Sequence, residues 1–326
     1  MVGTRPRIVV TRKLPGTIER ELATRFDVEL NTNDAAMSAD ALKAAVARTD
    51  ILVPTVTDRI TGEIIAAAGP QLKLIANFGV GFNHIDVKAA GARGIAVTNT
   101  PGVLTDATAD IGMTLMLMVT RRAVEGVKLL EAGRFQGWCP TWLMGVGLRG
   151  KKLGIVGMGR IGEAMGVRAR AFGMEIHYHN RKRAGAEMEG PLAAIYWPDL
   201  DAMLAEMDIV SINCPYTPET YHLFSAERIA RMKPGAFLIN TARGEIVDEA
   251  ALAEALHAGR LAGAGLDVFE REPKVEPALL TLSNVALLPH LGSSTIEART
   301  GMGKKVIANI AAHAEGRPLP DRVSPP

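Results

Sequence analysis

Three ionisable residues follow short apolar runs in the last third of the chain. Arg243 stands in Asn240-Thr241-Ala242-Arg243-Gly244 after residues 237–240, and Glu272 in Asp267-Val268-Phe269-Glu270-Arg271-Glu272-Pro273 after residues 264–268. His290 stands in Pro289-His290-Leu291-Gly292 after residues 285–288. If those runs are strands of an open α/β sheet, ligands gather outside their carboxyl ends. There a guanidinium can grip a carboxylate, an imidazole can carry a proton, and a carboxylate can orient the imidazole. Taken singly, each could be a solvated loop charge or a satisfied histidine. Together they are the parts for hydride transfer to a keto acid.

Hydride needs a carrier, and one stretch is built to hold it. Val156-Gly157-Met158-Gly159-Arg160-Ile161-Gly162 is a G-x-G-x-x-G run. It follows a buried-strand pattern at 152–156 and opens a helical pattern at 161–172. A second strand pattern, 174–179, comes next. That order is the context in which the glycines read as a dinucleotide site. Gly157 permits the tight turn, Gly159 lets a pyrophosphate approach the backbone, and Gly162 lets helix and strand pack closely. The N–H groups of the helix start face the phosphates. An NAD-preferring site places Asp or Glu about 20 residues beyond the motif. Here Asn180 is followed by Arg181-Lys182-Arg183, with no carboxylate between residues 176 and 186. A neutral amide and adjacent cations suit a 2′-phosphate, so the expected cofactor is NADPH, with NADH also accepted.

The elements that must position these residues alternate strand and helix almost throughout. Strand patterns occur at 7–11, 50–54, 72–78 and 95–99, then at 209–213, 237–240, 264–268 and 285–288. Helical patterns occur at 16–25, 38–47 and 294–315, and one long helix is expected over 105–132, capped at Thr105. Such alternation implies parallel sheets covered by helices. The glycine motif lies well inside the chain, so another α/β module precedes it. The expected layout is a split domain, residues 1–99 and 291–326, interrupted by a nucleotide-binding domain, residues 100–290, with the active site in the cleft between them.

Composition sets the outer bounds. The 326 residues carry a net charge of +2, which gives no general field for nucleic acid or an anionic membrane. Residues 111–119 are apolar but far short of the roughly 20 needed to cross a bilayer. Two cysteines, Cys139 and Cys214, make neither a disulfide framework nor a metal cluster. The N-terminal stretch 1–7 leads into a strand and not into an apolar signal core. A cytoplasmic protein without structural metal, nucleic-acid partner or membrane partner is expected. A proline-rich tail, 318–326, ends the chain.

With these residues the chain resembles the D-isomer-specific 2-hydroxyacid dehydrogenases over nearly its whole length. The matching stretches are Gly79-Val80-Gly81-Phe82-Asn83-His84-Ile85-Asp86, Val103-Leu104-Thr105-Asp106-Ala107-Thr108-Ala109-Asp110, residues 157–162, and Cys214-Pro215-Tyr216-Thr217-Pro218-Glu219-Thr220. Met232-Lys233-Pro234-Gly235, residues 240–244, Gly265-Leu266-Asp267-Val268-Phe269 and residues 289–292 complete the series. Within that family, Trp138-Cys139-Pro140-Thr141-Trp142-Leu143-Met144-Gly145 is similar to a segment of the glyoxylate and hydroxypyruvate reductases. The resemblance implies a Rossmann nucleotide-binding domain inserted into a flavodoxin-like substrate domain. It implies His290 as proton donor, Glu272 as its orienting partner, and Arg243 as carboxylate clamp assisted by the N–H groups of Val80 and Gly81. Thr105, Arg160, Ile161, Cys214, Pro215, Thr220, Thr241, Ala242, Asp267 and Gly292 would meet the cofactor, with Asp267 at its nicotinamide end. Trp138 or Trp142 would reach the active site of a second subunit in a homodimer. Phosphoglycerate dehydrogenases are the nearest alternative, but they often carry C-terminal regulatory additions not seen here. A non-catalytic, NAD(H)-binding corepressor-like module is the other, distinguished by absence of turnover.

Overall fold

The computed structural model describes residues 5–323. The outermost residues of the N-terminal stretch and of the proline-rich tail lie outside the described residues. Contacts divide the chain into two units, Met1–Leu104 with Ser294–Pro326, and Thr105–Ser293. The sequence reading put the joints at 99/100 and 290/291.

In the first unit, β1 (Arg7–Val10), α1 (Gly16–Arg25), β2 (Asp27–Glu29), α2 (Ala39–Arg48), β3 (Ile51–Val53), α3 (Gly62–Ala66), β4 (Leu74–Ala76), α4 (Val87–Ala92) and β5 (Ala96–Thr98) alternate. The strands form one parallel sheet in the order β2-β1-β3-β4-β5. That is the flavodoxin-like order. Central strands are apolar on both faces because helices cover both sides. Val9, Leu52 and Ile75 have no exposed surface, and burying such a side chain contributes about 1.5–3 kcal/mol. Ser38, Thr61 and Asp86 cap α2, α3 and α4 by accepting backbone N–H bonds. β2 was not expected; its three residues carry two charges and sit at the sheet edge, where no apolar pattern is required.

The second unit runs α5 (Thr105–Thr120), α6 (Ala123–Glu131), β6 (Lys152–Val156), α7 (Arg160–Ala171), β7 (Glu175–His179), α8 (Ala186–Leu192) and β8 (Ile195–Tyr196). It continues with α9 (Leu200–Glu206), β9 (Ile209–Ile212), α10 (Ala226–Arg231), β10 (Phe237–Asn240), α11 (Glu249–His257), β11 (Gly263–Leu266), α12 (Pro277–Thr281) and β12 (Val285–Leu287). Its seven-stranded parallel sheet has the order β12-β11-β10-β9-β6-β7-β8. The chain winds outward from β6 to one edge, returns to β9, and winds outward to the other. β6 and β9 therefore flank the topological switch point of a Rossmann sheet, where ligands bind. A last helix, α13 (Ile296–Ala314), packs on α1 and β4 of the first unit.

The single helix expected over 105–132 is two helices. Thr120 gives its carbonyl to Val146 N at 2.8 Å, so the helical ladder stops there. Arg122 turns left-handed at φ 53° and forks onto Glu125. α5 is buried through Leu115 and Met116, whereas α6 buries no residue and leaves Val127 and Leu130 exposed. Among the described residues no helix is long and apolar enough to cross a membrane.

Candidate active site

At the end of β6 the glycine run makes the turn its spacing predicts. Gly157 has φ 100°, and a Cβ there would lie 2.4 Å from Cys214 N, just after β9. A Cβ on Gly162 would lie 2.4 Å from the Gly157 carbonyl oxygen. Gly159 is different, because nothing lies within 4 Å of its Cβ position. The two outer glycines are thus demanded by crowding, while the middle one leaves bare backbone open at the start of α7. Unpaired N–H groups of the first helical turn face that opening. This is a cradle that fits a dinucleotide pyrophosphate.

The end of β7 departs from expectation in detail. Asn180 Oδ1 accepts a 2.7 Å bond from Met158 N, so this amide braces the glycine turn itself. Arg183 is also committed: its fork bonds Glu189 twice at 2.8 Å. Arg183 and the Tyr178 hydroxyl hold the Glu189 carboxyl down at about 2. Arg181 and Lys182 remain exposed, with no ion pair among the described residues. Across the switch point, Thr220 Oγ1 bonds the Pro215 carbonyl at 2.9 Å and Thr217 N at 2.7 Å, closing the turn after β9. Burial pushes the Cys214 thiol up to about 11, so it stays protonated at neutral pH.

The three chemistry-bearing residues come together through backbone tethers. After β10, buried Asn240 accepts from Ala242 N at 3.0 Å and donates to the Arg243 carbonyl at 2.9 Å, folding the Thr241–Ala242 turn. A Cβ on Gly244 would lie 1.9 Å from the Phe269 carbonyl carbon. Only glycine lets the Arg243 turn press so closely on the loop carrying Glu272. Arg243 is half-buried; that burial lowers its pKa, with Glu245 and Glu272 acting in the opposite sense. Glu272 Oε1 accepts from Phe269 N at 3.0 Å, and Oε2 bonds His290 Nδ1 at 2.9 Å. Burial works to raise the Glu272 carboxyl, but His290, the Phe269 N–H and Arg243 together hold it below its usual value. An ionised Glu272 accepts the Nδ1 proton and turns Nε2 outward as the working nitrogen.

His290 has φ 57°, a left-handed conformation that costs a non-glycine residue about 1–2 kcal/mol. Asp267 sustains it. The Asp267 carbonyl accepts from His290 N at 2.8 Å, and its two carboxylate oxygens accept from Leu291 N and Gly292 N, each at 2.7 Å. Its side chain is wholly inaccessible; burial raises its pKa while those N–H bonds oppose the rise. Thr108 Oγ1 on α5 adds a 3.0 Å bond to the Gly292 carbonyl. Sequence reasoning had Asp267 meeting the cofactor, and it missed the anchoring geometry. It also missed Glu249, a buried carboxyl that accepts from Glu270 N at 2.6 Å and steadies the Glu272 loop. Its place five residues after the Asn240–Gly244 turn, opening α11, is the signal that could have shown it.

Val80 and Gly81 lie in the first unit, in the bend after β4. Trp138 is 83% exposed and Trp142 38%, the latter stacked on Phe135 at 5.5 Å. Neither is a core residue.

A family model described as "D-isomer specific 2-hydroxyacid dehydrogenase, NAD binding domain" matches residues 113–292. The chain is 44% identical to a glyoxylate reductase of Thermococcus litoralis over 98% of its own length and 97% of the relative's. This chain belongs to the D-isomer-specific 2-hydroxyacid dehydrogenase family. Its structure is similar to an NADPH-dependent glyoxylate/hydroxypyruvate reductase from Sinorhizobium meliloti solved with NADP and malonate, with TM-score 0.88, 36% identity, and 98% and 97% of the two chains covered. A glyoxylate reductase from Paecilomyes thermophila gives TM-score 0.88 at 32% identity, covering 99% of each chain. As a member of the 2-hydroxyacid dehydrogenases the protein is an NAD(P)-dependent oxidoreductase.

Proposed function

We propose that this dehydrogenase reduces small 2-keto acids, glyoxylate and hydroxypyruvate best, with NADPH. The observation that carries the reading is the 2.9 Å bond between His290 Nδ1 and Glu272, beside the turn that presents Arg243. When bound, the reduced nicotinamide supplies the hydride. Arg243 grips the substrate carboxylate and polarises the carbonyl. Val80 and Gly81 are assigned to substrate binding through their backbone N–H groups. His290 Nε2 hands its proton to the carbonyl oxygen, and Glu272 stabilises the charged ring until it does. Asp267 and Gly292 hold the His290 loop. The second unit is the cofactor domain and the first the substrate domain. A turnover panel of glyoxylate, hydroxypyruvate, pyruvate and phenylpyruvate with each reduced cofactor tests this. Binding of NADPH without turnover of any of the four would favour the interaction-module reading instead.

The cofactor preference rests on Arg181 and Lys182, since Arg183 is occupied by Glu189. NADPH should exceed NADH in kcat/KM. Neutralising Arg181 and Lys182 together should shrink that preference at least about tenfold, because charge-assisted bonds contribute roughly 1.5–3 kcal/mol each. Asn180→Asp keeps an acceptor for Met158 N and adds the repelling charge, so it should act in the same direction. A preference for NADH in the unmodified protein would overturn this assignment.

A homodimer completes the reading, with the 123–146 segment against its partner. Leu130, Trp138 and Met144 are 65%, 83% and 65% exposed, more apolar surface than a solitary loop keeps in water. An indole from this segment closing the neighbouring pocket would exclude phenylpyruvate by overlap. Trp138→Ala or Trp142→Ala should relax that size limit and weaken the dimer in sedimentation. A fully active monomer of the unmodified protein would rule out the shared pocket.

A further inference from the structure

We infer that Asn77 is a positioning residue for substrate: its buried side-chain amide presets the backbone N–H groups of Val80 and Gly81 as a carboxylate seat. This rests on the 2-keto acid reading above. Asn77 follows β4 and has no accessible surface. Its Nδ2 donates to the Gly79 carbonyl at 3.0 Å and to the Gly81 carbonyl at 2.9 Å. Asn99, after β5, donates Nδ2 to the intervening Val80 carbonyl at 2.9 Å, and Thr100 N adds a 3.1 Å bond to the Gly79 carbonyl. Three successive carbonyls are therefore drawn onto side chains and backbone of the sheet end.

A trans peptide points its N–H opposite to its C=O. Tying down the carbonyls of Gly79, Val80 and Gly81 thus turns the N–H groups of Val80, Gly81 and Phe82 the other way. Among the described residues these three N–H groups have no acceptor. Val80, Gly81 and Phe82 are only partly buried, so an anion can reach them. Unpaired N–H groups converging in a bend form an anion-binding concavity. The direction of the Asn77 amide is itself fixed, because Oδ1 lies 3.0 Å from His84 Nε2. With Nδ2 spent on two carbonyls, Oδ1 must accept, so His84 carries its proton on Nε2. The seat is ready before any substrate arrives, and only the 2-keto acid's carboxylate gains from it.

Asn77→Ala and Asn77→Asp test the assignment. Both should raise KM for glyoxylate about tenfold or more while kcat changes much less, since ground-state and transition-state binding of the carboxylate fall together. The affinity of the NADP-loaded protein for oxamate, an unreactive analogue with the same carboxylate, should fall by a similar factor, with NADP affinity unchanged. Asn99→Ala removes only the Val80 tether and should give a smaller rise. Lower thermal stability with KM and oxamate affinity within about twofold of the unmodified protein would show Asn77 to be structural only, overturning the inference. If neither Asn77 variant folds, unchanged KM in Asn99→Ala overturns it. Failure of the unmodified protein to turn over 2-keto acids or bind oxamate would instead remove the functional reading beneath it.

Discussion

His290→Ala should lower kcat for glyoxylate by about 10² or more, with cofactor affinity near normal, because the loss falls on proton transfer. The geometry makes the result specific. The ring is held on one side by Glu272 at 2.9 Å and its backbone is pinned by the Asp267 carbonyl at 2.8 Å. Removing the imidazole leaves the glycine cradle after β6 and the Arg243 turn untouched. Pre-steady-state reduction and cofactor titration by fluorescence separate the two effects. Retention of full activity would mean that another group donates the proton. Glu272→Gln should fall in between, since a neutral amide still accepts the Nδ1 proton but no longer stabilises the ring's charge.

Arg243→Ala should show a different pattern: KM rises and kcat falls together, for a combined loss in kcat/KM of about 10³ or more. In the proposed mechanism one guanidinium serves both carboxylate binding and carbonyl polarisation, so ground-state and transition-state terms would go at once. Arg243→Lys should recover part of the binding and little of the turnover, because a point charge lacks the planar fork. Steady-state kinetics across glyoxylate concentrations checks both. A variant with raised KM and unchanged kcat would confine Arg243 to binding alone.

Some of this could be read from the chain before any fold was known, and the reason is locality. The glycine run demands its turn through φ at Gly157 and the absence of Cβ at Gly162, and both constraints act within a few residues. Strand and helix alternation, with apolar central strands, dictated two parallel sheets because each element's burial is written in its own periodicity. Arg243, Glu272 and His290 were visible as ionisable residues at strand ends, and the family resemblance supplied their roles.

Tertiary structure decided what depends on partners distant in sequence. The break at Arg122 follows from Val146 taking the Thr120 carbonyl, a bond no helical pattern announces. Asn180 looked free to meet a phosphate, yet Met158 claims its amide across the β6–β7 pair. Arg183 looked like one of three equal cations until α8 brought Glu189 to it. In the sequence Asp267 stands only as a cofactor contact implied by the resemblance, and Asn77 as an ordinary polar residue. Their work appears only when the sheet ends bring loops to their buried oxygens and nitrogens, which must then find hydrogen bonds or bear the desolvation of an unpaired polar group.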